Sequence, residues 1–117
     1  MMPQHLYSRS LDDVDVAGLR KFYKSDPIAP KILDLFAARS NDSRITTVSR
    51  IEAILKGAAF EITRPQIFRV FKGLEGFNCG RFVKEQTIVS RADRASRFEW
   101  RVSLVAVGRA AADKKIR

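Results

Sequence analysis

Gln66, Arg69 and Lys72 fall at three-residue intervals in a segment whose apolar residues, Ile67, Phe71 and Leu74, return at helical spacing. A helix that buries those three turns Pro65, Gln66, Arg69, Lys72, Gly73 and Gly76 outward. The outward set carries recognition chemistry. An amide can pair twice with adenine, a guanidinium with guanine O6 and N7, and an ammonium can reach guanine or phosphate. Small Gly73 and Gly76 would let the backbone approach closely, and Glu75 is expected to point sideways, leaving no acid on the face. A second set, Arg91, Arg94 and Arg97, lies further on, with Lys84 and Arg101 flanking it. Clustered arginines suit phosphate contacts or a narrow minor groove. Protection of an edge strand by positive charge is the competing reading, and it accounts for Lys84 and Arg101 better than for the three arginines. Arg44, Arg50 and Lys56 add candidate backbone contacts.

The charge distribution bears on the same question. Five basic residues (Arg9, Arg20, Lys21, Lys24, Lys31) balance five acids (Asp12, Asp13, Asp15, Asp26, Asp34) in residues 1–38. The whole net charge of +9 therefore sits in residues 39–117. Lys and Arg in such excess displace counterions condensed on phosphates, so a polyanionic partner is expected. A merely solubilising surface is the alternative.

Catalysis has few residues to work with. The lone His5 lies in the N-terminal segment, so neither a Cys–His pair nor a histidine metal site is expected. Cys79 is read as a structural residue between a helix and a strand. Asp12, Asp13 and Asp15 answer a helix dipole more simply than they bind a cation. No glycine-rich phosphate loop occurs. The chain is expected to be no enzyme and to need no cofactor or metal. With one cysteine there is no intrachain disulfide. The absence of a signal peptide or a membrane-length apolar run predicts a soluble, cytoplasmic protein with no membrane partner.

At 117 residues and 45% apolar composition, the chain can bury a core of its own. A first helix is expected over 10–24, with Ser10 and Asp13 at its start and Val16, Leu19, Phe22 and Tyr23 on one side. Asp26 then caps a helix over 27–39 that buries Ile28, Ile32, Leu35 and Phe36. Residues 40–44 form a loop. Ile45-Thr46-Thr47 is either a short strand or the lead-in to a helix over 47–57, which buries Val48, Ile51 and Leu55. Thr63 caps the next helix, with Pro65 in its first turn, and Gly76 with Asn78-Cys79-Gly80 ends it. Periodicity then shifts to alternation. Phe98, Trp100, Val102 and Leu104 occupy every second position of a half-buried strand, and 81–89 can pair with it antiparallel. The residues after Gly108 read as a tail with one frayed helical turn.

Three to four helices followed by an antiparallel β-hairpin predict an α+β fold. From Pro27 to Leu104 the chain resembles the winged helix-turn-helix superfamily. It also resembles small bacterial proteins that carry N-C-G-R-F after the recognition helix and S-R-F-E-W on the last strand. The two motifs are present as Asn78-Cys79-Gly80-Arg81-Phe82 and Ser96-Arg97-Phe98-Glu99-Trp100. The resemblance implies an N-terminal extension with one helix (1–26), a winged domain (27–107) and a flexible basic tail (108–117). It implies a DNA-binding regulator, with one helix in the major groove and a basic wing on the backbone. Duplex DNA is the expected partner, with a homodimer formed through the first helix. RNA binding by the same surface and an acidic protein partner are the alternatives. RNA calls for exposed aromatic residues, and a protein partner for an apolar patch, which Phe68, Ile54 and the first helix could supply.

Overall fold

A computed structural model describes residues 11–38, 43–83 and 97–112. Among the described residues it is an α+β structure of five helices and one small three-stranded antiparallel sheet.

The first helix, α1 (Val16–Ser25), starts later than the sequence pattern predicts. Its cap is Asp15, whose carboxylate accepts from the Gly18 N–H at 2.9 Å. Ser10 lies outside the described residues. The second helix, α2 (Ala29–Ala37), is shorter than the expected 27–39 and has Ile28, not Asp26, at its N-cap position. The Asp26 carboxylate accepts from the N–H groups of Ile28 and Ala29 at 2.9 and 2.8 Å. Ala29, Ile32, Leu33 and Phe36 of α2 are buried.

Ile45–Thr47 is both a strand, β1, and a lead-in, because Thr47 ends it and caps α3 (Val48–Gly57) by accepting from the Arg50 N–H. α4 (Arg64–Gly76) opens with a reciprocal capping box. The Thr63 hydroxyl accepts from the Gln66 N–H at 3.3 Å, while the Gln66 side-chain oxygen accepts from the Thr63 N–H at 2.8 Å. Pro65 occupies the first turn, where a missing N–H costs little. The exit from α4 runs through Asn78 at φ 71°, a left-handed position that asparagine tolerates, with its amide donating to the Asp13 carbonyl.

β2 (Gly80–Phe82) and β3 (Arg97–Trp100) are the paired strands the alternation predicts, and β1 joins them in the order β1-β3-β2. Gly80 pairs with Trp100, and a Cβ on Gly80 would fall 2.5 Å from the Glu99 carbonyl oxygen. Only glycine lets the two backbones come so close. Phe98 and Trp100 face inward with Phe36 and Phe71, all four rings buried. The Trp100 Nε1–H donates to the Thr46 hydroxyl at 2.8 Å, so both buried polar groups are paired.

One expectation fails at the C-terminal end. Leu104 does not extend the strand, and residues 108–112 are not a flexible tail: Leu104–Ala112 form a helix, α5, with Leu104, Val107, Gly108 and Ala111 buried. The buried Ser103 ends the alternation, because its hydroxyl caps the new helix by accepting from the Ala106 N–H at 3.1 Å. α5 lies against α2 almost backbone to backbone, since a Cβ on Gly108 would meet the Ala37 nitrogen at 2.5 Å and the Leu33 oxygen at 2.6 Å. Residues 113–117 lie outside the described residues. α1 packs on the same pair of helices, with the Arg20 Nε donating to the Ala110 carbonyl. Both ends of the described chain thus share the central core. Among the described residues no helix is long and apolar enough to cross a membrane.

Candidate nucleic-acid interface

The side of α4 opposite its buried residues Ile67, Val70, Phe71 and Leu74 presents Pro65, Phe68, Arg69, Lys72 and Gly76, all exposed. Two residues placed on this face by helical spacing sit elsewhere. Gln66 is half-buried, with its side-chain oxygen engaged in the capping box. Gly73 is half-buried beneath Phe22, whose ring would lie 3.0 Å from an added Cβ. Gly73 therefore gives room to α1 rather than to a ligand.

Nor is the face free of carboxylates. Arg69 is joined to Asp26 by two hydrogen bonds, at 2.6 and 3.2 Å, which tie α4 to the start of α2. Burial alone would push the Asp26 carboxyl up. The hydrogen bonds from Arg69 and from the Ala29 and Ile28 N–H groups outweigh it and hold Asp26 below the usual carboxylate range. The same hydrogen bond to Asp26 raises Arg69. Lys72 pairs with Glu75 at 3.0 Å, and the other Glu75 oxygen accepts from the Phe82 N–H at 3.2 Å. Glu75 thus bridges α4 and β2. Arg64, in the first turn of α4, pairs with Glu52 of α3 at 2.9 Å.

Phe68 and Phe82 join the helix to the sheet. Their rings stack at 4.7 Å with 25° between planes, and the Lys72 ammonium stands 5.7 Å from the Phe82 ring centre. Phe82 is held from behind, edge-on, by Phe71 and Phe98. The sequence pattern marks Phe68 only as an apolar surface residue and gives no sign of this stack, which depends on the β2 register.

The remaining candidates are spread over the sheet and α3. On the outer side of the sheet, Ile45, Glu99 and Arg81 form one rung, and Glu99 takes Arg81 at 3.1 Å and Arg44 at 3.8 Å. Arg44 is therefore partly neutralised. Arg50, exposed in the first turn of α3, has no ion-pair partner among the described residues. It borders a hollow of about 20 Å³ with Ile45, Thr46 and Ile54, room for about one water molecule. Lys56 and Arg101 are exposed as well. Arg97 is exposed on β3, where its carbonyl accepts from the Val83 N–H at 2.9 Å. Lys84, Arg91 and Arg94 lie outside the described residues, in the stretch 84–96 between those two paired ends.

Cys79 is buried, and desolvation, followed by the charge of Asp15, pushes its thiol up to about 12. A neutral thiol is a poor nucleophile. Among the described residues no three His, Cys, Asp or Glu side chains group to hold a metal ion. On α1, the expected homodimer contact, Leu19 is fully buried in the chain's own core and Phe22 packs against Phe77 and Gly73. No protein-family model, no curated protein and no solved structure matches this chain.

Proposed function

We propose that this chain is a winged helix-turn-helix protein that binds duplex DNA. The observation that carries the proposal is the position of α4. The elements from α2 onward run helix–strand–helix–helix–strand–strand, the sheet is ordered β1-β3-β2, and α4 packs on α3 and β2 with one side left to solvent. Its solvent face offers Pro65, Phe68, Arg69 and Lys72, and the carboxylates nearby, Asp26 and Glu75, already hold cations. In this reading α4 enters the major groove and the basic stretch with Arg91, Arg94 and Arg97 lies on phosphates. Arg44 and Arg50 add backbone contacts from β1 and α3. The Lys72–Glu75 pair does not block binding, since both side chains stay well exposed and such pairs hold by only about 0.2–1 kcal/mol, so a phosphate or base edge can take Lys72 over. Arg69 is half exposed and has N–H groups to spare while it holds the mostly buried Asp26 carboxylate.

Titration against salt of a duplex, a single strand and a double-stranded RNA, with the mass of the complex measured alongside, tests this reading. Duplex DNA should bind tightest, and its affinity should fall steeply as salt rises. Preference for RNA or for single strands, or no binding near physiological salt, would remove it. In the last case an acidic protein partner for the Phe68 surface becomes the leading account.

A further inference from the structure

We infer that Phe68 makes the chain selective for thymine, by seating its ring against a thymine 5-methyl group in the major groove. The inference rests on the duplex-DNA reading and names a determinant of specificity within it.

Among the described residues three large apolar side chains are left exposed, Ile45, Phe60 and Phe68. Phe60 lies beneath the Lys31 ammonium, and Ile45 sits on the outer rung of the sheet. Phe68, 40% exposed, is the one on α4. It is the fifth of thirteen residues in that helix, within the N-terminal half from which recognition helices touch base edges.

Its ring is also held in place. Phe82 stacks under it at 4.7 Å and is itself clamped by Phe71 and Phe98, while Glu75 fixes the Phe82 backbone N–H. A ring so supported loses little freedom when it meets a ligand, which favours selective contact.

The surroundings identify the ligand. Cations at Arg64, Arg69 and Lys72 share the helix with Phe68, and the acids beside them, Glu52, Asp26 and Glu75, are paired with those cations. The duplex-DNA reading makes the partner anionic, and the exposed Phe68 ring asks it to offer an apolar group as well. Of the groups displayed in the major groove, the thymine C5-methyl is the apolar one, and a phenyl ring is a suitable neighbour for it.

Uracil keeps every hydrogen-bonding group of thymine and lacks only that methyl. The test therefore selects a preferred duplex from a randomised pool, then compares it with the same duplex synthesised with uracil for thymine. The selected site should contain at least one position fixed as A·T. Uracil should weaken binding by the wild-type chain about fourfold, the factor that burying one methyl-sized group supplies. Phe68→Ala should bind both duplexes alike, with a cooperative thermal melt showing that it folds despite the lost Phe82 stack. A selected site without a fixed A·T pair, or equal wild-type affinity for both duplexes, overturns the thymine inference and leaves duplex binding standing. Absence of any duplex binding overturns both.

Discussion

Arg69 on α4 and Asp26 at the start of α2, 43 residues apart in the chain, are joined by two hydrogen bonds of 2.6 and 3.2 Å. The same carboxylate accepts from the Ile28 and Ala29 N–H groups at the start of α2. One side chain thus fixes both the beginning of a core helix and the angle at which α4 stands, and that makes Asp26 a stability determinant with a defined pH dependence. Its carboxyl is held below its ordinary range, so it binds its proton less readily in the folded chain than in the unfolded one. The stabilisation is then fully present above that range and is lost as pH falls through the folded-state value. Asp26→Asn should cost about 1 kcal/mol at neutral pH, since an amide oxygen remains to accept from those N–H groups but the ion pair goes. Urea unfolding at a series of pH values checks this: the gap between wild type and variant should close on acidification. A gap independent of pH would show that Asp26 acts through shape alone.

Trp100 supplies a second test. Its ring is buried among Phe36, Phe71 and Phe98 and its N–H is bonded to Thr46. Trp100→Ala should cost about 3–5 kcal/mol in chemical unfolding. Trp100→Phe keeps much of the volume but leaves the buried Thr46 hydroxyl without this donor, at a cost of about 1–3 kcal/mol. As this is the sole tryptophan, its emission should shift to the red in the same transition.

Glycine substitutions separate helix propensity from packing. Gly108→Ala should destabilise by about 1–3 kcal/mol despite the better helix former, because the methyl would meet backbone atoms of Leu33 and Ala37 and push α5 off α2. Gly57→Ala, at the last position of α3 with open space around it, should be neutral or gain up to about 1 kcal/mol. Thermal melts of the two variants should move in opposite directions or differ by several degrees. Equal behaviour would mean that α2 and α5 are not in close contact.

Cys79 should resist alkylation. Its thiol is buried and pushed up to about 12, so the thiolate is scarce across the physiological range. Iodoacetamide should label it only as fast as the chain unfolds, and denaturant should accelerate the reaction. Rapid labelling of the folded chain would place Cys79 at the surface.

What can be read in the sequence, and what cannot, follows from the range over which each signal acts. The Thr63 cap, the Pro65 position, the buried side of α4 and the inward Phe98 and Trp100 all depend on residues a few places apart, and period and turn chemistry expose them. The Arg69–Asp26 pair spans 43 positions with no repeat to announce it. Gly73 shows the same difficulty in another form: a small residue on a helix marks a close approach but not by whom, and Phe22 is the neighbour. α5 is hidden because a helix lying backbone-close to its partner needs small residues at the interface. Gly108 and Ala111 carry little hydrophobic weight, so a core helix reads as a tail. Ser10 is a reasonable cap by type, but Asp15, five residues later, is the one that reaches a free N–H.

The central claim is that α4 reads base pairs while the arginines between β2 and β3 hold phosphates, and one comparison tests it most directly. Wild type, Lys72→Ala and the double variant Arg91→Ala/Arg94→Ala are titrated on a selected duplex and on its scrambled counterpart at several salt concentrations. Lys72 is chosen over Arg69 because its partner, Glu75, lies on the same helix, so its removal leaves the α2–α4 tie intact. Lys72→Ala should weaken the selected duplex by about 1–3 kcal/mol and the scrambled one little. The double variant should weaken both alike and flatten the salt slope by about one unit for each phosphate that no longer has its arginine. Equal affinity of all three proteins for both duplexes, or no salt-dependent binding by the wild type, would contradict the claim.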